Sequence, residues 1–138
     1  MDWVLDCSLA LAWALPDETS ERADRFLAQS SAIGVLWVPA LWWYELSNGL
    51  LMAQRRKRLA ETDRSRLLDL YETLPIRADG DLGSDIIRRL HGLAEEYALS
   101  AYDAAYLELA QRKDLGLATL DQPLIKAARR AGVNVVRL

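Results

Sequence analysis

Short apolar runs, each stopped by a proline, a glycine or an acid and separated by helix-length amphipathic stretches, restrict this chain to an alternating α/β fold. The first run, Trp3-Val4-Leu5, closes on Asp6. The second, Val35-Leu36-Trp37-Val38, follows Gly34 and stops at Pro39. Pro75-Ile76-Arg77 reads as a weak third strand, Gly116-Leu117-Ala118-Thr119 as a fourth, and Val133 to Val136 as the last. The intervening segments carry helix signals. Asp17-Glu18-Thr19 after Pro16 opens a helix to about Ser30, its acids facing the positive end of the dipole. A helix from about Ala40 to Arg56 contains Gly49, which costs about 1 kcal/mol relative to alanine and so calls for a packing reason or a bend. Thr62 caps a helix over 63–73, with Leu67, Leu68, Leu70, Tyr71 and Leu74 on its apolar side. Residues 81–97 place Ile86, Leu90, Leu93 and Tyr97 at helical spacing, with Ile87 beside them. Ser100 is the expected N-cap of a helix over 101–113, and Gly132 ends one over 122–131. Strands separated by helices predict an α/β fold around a mainly parallel sheet of about five strands, with right-handed crossovers placing helices on both faces.

The 138 residues show no repeat, low-complexity tract or linker, so residues 1–138 are read as one domain. A net charge of -3 argues against gripping nucleic acid through bulk positive charge. A lone cysteine, Cys7, and a lone histidine, His91, allow neither an internal disulfide nor a zinc site. The start lacks the basic segment of a signal peptide, and no uncharged apolar run reaches the roughly 20 residues of a membrane span. A soluble, cytoplasmic protein without a membrane partner is expected.

Four acids stand in apolar company. Asp6 closes the first strand, Asp121 the fourth, Glu45 is the only charge between Pro39 and Gln54, and Asp103 opens the stretch Ala104-Ala105-Tyr106-Leu107. An ionised carboxylate in such a setting is costly unless it is paired, hydrogen-bonded or metal-bound. Each acid also has a local reading: Asp103 as a helix N-terminal acid, Asp121 as a cap. Taken together they suggest one site, because ligands of open α/β sheets bind outside the carboxyl ends of the strands. Clustered carboxylates raise one another's pKa or recruit cations, and oxygen-only ligands select Mg²⁺ or Mn²⁺. Such ions activate water and stabilise charge on a transferring phosphoryl group. The chemistry suggested is that of a metal-dependent phosphodiesterase.

The residues around the four acids resemble the PIN-domain family, in particular the VapC toxins of toxin–antitoxin pairs. Val4-Leu5-Asp6-Cys7-Ser8 is similar to the opening strand with its acid and hydroxyl. Pro39 to Asn48 looks like the P-x(5)-E-x-x-N segment, and Ser100-Ala101-Tyr102-Asp103-Ala104-Ala105-Tyr106 like the S-x-x-D-A-x-Y helix start. Thr119-Leu120-Asp121 resembles the T-x-D after the fourth strand, and 124–133 is a softer match. The resemblance implies a three-layer α/β/α fold with a central parallel sheet, and a Mg²⁺- or Mn²⁺-dependent endoribonuclease that curbs translation by cutting structured RNA. It implies a homodimer silenced by a cognate antitoxin. Asp6, Glu45, Asp103 and Asp121 would hold one or two metal ions, with one acid also helping to deprotonate the attacking water. Ser8 and Thr119 would orient Asp6, Asp121 or a bound water, or else cap local backbone.

Arg55-Arg56-Lys57-Arg58 is the one dense basic run, a candidate RNA-phosphate contact or a solvated helix end. Arg88-Arg89 and Arg129-Arg130 carry the same two readings. Of five tryptophans, Trp3 and Trp37 are expected in the core; of adjacent Trp42 and Trp43, one should be accessible. Two rivals stand beside the nuclease: a Mg²⁺-binding receiver-type signalling domain, and a PIN-like scaffold that binds RNA or a partner without cutting. The receiver reading wants an acidic neighbour for Asp6 and a lysine after the last strand, and the chain has neither.

Overall fold

The computed structural model describes residues 1–15, 21–29 and 32–138. Four strands, β1 (Trp3–Leu5), β2 (Leu36–Val38), β3 (Ile76–Ala78) and β4 (Gly116–Ala118), form one wholly parallel sheet in the order β3-β2-β1-β4. Seven helices are described: α1 (Cys7–Ala12), α2 (Glu21–Ala28), α3 (Leu41–Arg55), α4 (Glu61–Thr73), α5 (Ser84–Tyr97), α6 (Ala101–Lys113) and α7 (Gln122–Arg130). The α/β/α reading holds, with two corrections. Val133 to Val136 do not form a fifth strand: a single parallel bridge joins Leu117 to Val135. The reason lies in β4, whose three residues turn Gly116 and Ala118 toward β1. Only Leu117 offers both its groups to the other edge, accepting from Val136 N at 3.0 Å and donating to Asn134 O at 2.8 Å. The receiver rival also falls. That fold places β1 between β2 and β3, whereas here β1 lies between β2 and β4.

The helices sort by how their surfaces are satisfied. In α6 every residue from Ala104 to Ala110 is buried. It packs on β1 and β4 with α5 on its outer side, and a helix enclosed in this way need not be amphipathic. α5 has no fully buried residue and begins at Ser84 rather than 81, after Gly83 in a positive-φ conformation. α4 begins two residues earlier than expected, with Ala60 as its N-cap, and Leu68 is exposed. α1 is not anticipated by the sequence: six residues are too few to show a period. The expected helix start at Asp17-Glu18-Thr19 and its end at Ser30 lie outside the described residues.

α1 packs on α3, and Gly49 supplies the packing reason. A Cβ there would come within 2.9 Å of both Leu11 methyls. Trp42 is fully buried, edge-on to Trp43 and Tyr71, while Trp43 is 44% exposed. Trp3 and Trp37 are only partly buried, at the rim of the core; Lys113 Nζ lies 3.8 Å from the centre of the Trp37 ring.

Candidate active site

Strand order places the site. The chain steps from β1 to β2 to β3 in one direction, and β4 then joins the opposite side of β1. The carboxyl ends of β1 and β4 therefore flank the switch point where open α/β sheets bind ligands. Asp6 follows β1 directly, and Thr119-Leu120-Asp121 follow β4. The Asp6 N–H donates to Ala118 O at 2.9 Å, locking the two strand ends together.

Asp6 is 6% exposed and is held by hydroxyls. Ser8 Oγ donates to Asp6 Oδ2 at 2.6 Å and Thr119 Oγ1 to the same oxygen at 2.7 Å. Each hydroxyl also accepts a backbone N–H, Ser8 from Leu120 at 3.0 Å and Thr119 from Asp121 at 3.0 Å. The two hydroxyls thus contact Asp6 and at the same time satisfy the loop that carries Asp121. Asp121 in turn N-caps α7, its Oδ2 accepting from Leu124 N at 3.1 Å. Asp103 stands in the first turn of α6, where its N–H is capped by Ser100 Oγ at 3.1 Å. Glu45, in the second turn of α3, accepts a short hydrogen bond from the Tyr106 hydroxyl of α6. Tyr106 was legible only as the last residue of the S-x-x-D-A-x-Y match, because nothing in local spacing joins it to Glu45.

The four acids share one electrostatic neighbourhood. Burial pushes Asp6 up from the ordinary carboxyl range and Asp121 adds to the push, against hydrogen bonds from Ser8, Thr119 and the Cys7 backbone. Glu45 is raised by burial and then by Asp6 and Asp103, with the Tyr106 bond opposing. Asp103 is raised by burial, then by Asp121 and Asp6. Burial together with Glu45 and Asp6 also drives the Cys7 thiol upward, leaving it protonated and inert. None of the four acids forms an ion pair with lysine, arginine or histidine among the described residues. The donor set is carboxylate oxygen alone, which suits a hard divalent cation. It is a neighbourhood rather than a finished ligand set: among the described residues, no three acidic, histidine or cysteine side chains converge tightly enough to hold an ion as they stand.

The basic run is divided. Arg56 and Arg58 line a groove with Ser8 and Asp121, and Arg55 and Lys57 do not. A second charged cluster was missed by sequence reading. Glu108, 4% exposed and flanked by Leu107 and Leu109, accepts from Arg112 Nε at 2.7 Å and Arg89 Nε at 3.0 Å. The rule that singled out Glu45 applies equally to Glu108, a lone charge in an apolar run.

Comparison with known proteins agrees with this geometry. The PIN domain family model matches residues 3–130. Ribonuclease VapC3 of Pyrobaculum aerophilum is 30% identical over 128 residues, spanning 90% of this chain and 92% of its own. Ribonuclease VapC9 of Mycobacterium tuberculosis is 32% identical over 118 residues, spanning 86% and 84%. The crystal structure of PAE2754 from Pyrobaculum aerophilum superposes with a TM-score of 0.70 at 23% identity, over 92% of this chain and 84% of that one, and shares the fold. By the family match and by its relatives, this chain belongs to the PIN-domain family.

Proposed function

We propose that this protein is a metal-dependent endoribonuclease acting as the toxin of a toxin–antitoxin pair, cutting structured RNA in the cytoplasm to inhibit translation. The observation that carries the reading is a set of four carboxylates that interact electrostatically near the sheet's switch point, none ion-paired to lysine, arginine or histidine among the described residues. Relatives named as VapC ribonucleases over most of their length support it. Asp6, Glu45, Asp103 and Asp121 are the residues that would hold one or two Mg²⁺ or Mn²⁺ ions. Such an ion, when bound, stabilises charge on the phosphate and lowers the pKa of water. Asp6 keeps its orientation through Ser8 and Thr119. Glu45 is steadied by Tyr106, and one of the four acids, directly or through water, would help deprotonate the attacking water. A cognate antitoxin and a homodimeric state complete the reading.

The test is cleavage of a cellular RNA pool with Mg²⁺, with Mn²⁺ and with chelator. Cutting that requires the ion and disappears in Asp6→Asn is expected. A wild-type protein that cuts nothing under any of these conditions sinks the nuclease and leaves the non-cleaving scaffold.

A further inference from the structure

We propose that the groove between Asp121 and Arg56 is a subsite for one nucleotide of a single-stranded RNA segment flanking the cut. The base would lie against Leu11 and Met52, and the backbone phosphate at Arg56. This rests on the nuclease reading and adds a substrate-positioning residue to it.

The basic run sits at the end of α3, where the chain reverses. Arg58 N bonds Ala53 O at 2.8 Å and Lys57 N bonds Gln54 O at 3.1 Å. Lys57 takes the left-handed conformation, φ 59°, that glycine normally supplies in this helix-ending motif. The turn sends Arg56 and Arg58 into one groove of about 450 Å³ that Ser8 and Asp121 also line. That volume is in the range of small-molecule sites, roughly 300–1,000 Å³. Asp121 of the acidic centre and two arginines of the basic run, distant in sequence, therefore line one groove.

The rest of the lining is largely apolar. Leu11 of α1 faces Met52 and Gly49 of α3. Gly49 admits this approach, since a Cβ there would press on Leu11 at 2.9 Å. Arg56 is exposed, and it forms no ion pair among the described residues. An acid, an apolar wall and an arginine in one groove match a nucleotide step: a cleavable phosphate, a base lying against nonpolar surface, and the next phosphate. An apolar ligand would waste Arg56, and a purely electrostatic grip would not need the walls.

The experiment uses Asp6→Asn protein with Mg²⁺ and a fluorescein-labelled single-stranded oligoribonucleotide, titrated by anisotropy at several salt concentrations. Arg56→Gln should weaken binding several-fold and lower the log–log salt slope by about 0.7, the share of one single-strand phosphate. Met52→Gln should weaken binding without changing the slope. Arg55→Gln, just outside the groove, should lose less than Arg56→Gln in both measures. Thermal melts confirm that each variant is folded. Equal losses for Arg55→Gln and Arg56→Gln, or an unchanged slope in Arg56→Gln, overturn the subsite while wild-type cleavage still stands. Absence of metal-dependent cleavage by the wild type removes the nuclease reading and the subsite with it.

Discussion

Two acidic clusters among the described residues differ in their partners. Asp79, Asp81 and Glu108 are threaded by two arginines. Arg112 reaches Asp79 at 2.5 Å and Glu108 at 2.7 Å, and Arg89 reaches Asp81 at 2.8 Å and Glu108 at 3.0 Å. The network ties α5 and α6 to the end of β3, and its acids hold Arg112 above the ordinary guanidinium range. Asp6, Glu45, Asp103 and Asp121 have hydroxyls and backbone N–H groups instead, and no cation among the described residues. Buried charges that stabilise a fold come with their counter-charges. Neighbouring carboxylates kept without them, Asp6 buried and the other three partly so, raise one another's pKa and are characteristic of functional sites.

The sharpest way to break this contrast is Asp6→Asn. Even residues that merely orient a metal ligand cost roughly 10–100-fold when lost, so removing a proposed ligand should lower RNA cleavage by about 100-fold or more. Metal-free stability at neutral pH should not fall, because one of the mutually repelling charges is gone. A variant that keeps its activity, or that melts well below wild type, contradicts the assignment. Arg112→Gln should behave oppositely. It strips Glu108 and Asp79 of charged hydrogen bonds and should cost about 1.5–3 kcal/mol in denaturant unfolding, with cleavage per folded molecule unchanged.

Thr119→Val lies between the two. It deletes a donor to Asp6 and the acceptor of the Asp121 N–H, so cleavage should drop about 10-fold, with a modest loss of stability. Wild-type cleavage rates in this variant would reduce Thr119 to a backbone cap.

The smallest effect is the pH dependence. With Asp6, Glu45 and Asp103 raised from their ordinary values of 3.8, 4.5 and 3.8, the folded chain holds more protons than the unfolded chain between those values and the raised ones. Their contribution to stability therefore declines as pH rises through that window and levels off above it. In metal-free melts, Glu45→Gln should gain on wild type by a few degrees as pH rises, and Mg²⁺ should shrink the gap. A gap that narrows with rising pH reverses the sign and rules out the repulsion.

Glu45 and Glu108 show how far residue-level reading reaches. Both are single charges inside apolar helical runs, and apart from the P-x(5)-E-x-x-N match around Glu45 nothing in the local pattern separates them. What distinguishes them is a neighbour from elsewhere: Tyr106 for one, Arg89 and Arg112 for the other. Likewise Ser100 was readable as an N-cap because capping is local, three residues long. The fifth strand was misread because a run of valines reports propensity, whereas pairing depends on what the edge of β4 presents.

The sequence by itself determined the alternation of strands and helices, the four acids with their flanking motifs, and so the family. These are signals of period, capping and order along the chain, expressed within a few residues. Only the tertiary structure decided that the strand order reverses between β1 and β4, which brings Asp6 and Asp121 to one edge. It alone decided that Arg56 opens onto the same groove while Arg55 does not. Both depend on contacts between segments far apart in the chain, where burial, hydrogen bonding and charge are settled by neighbours that no local pattern names.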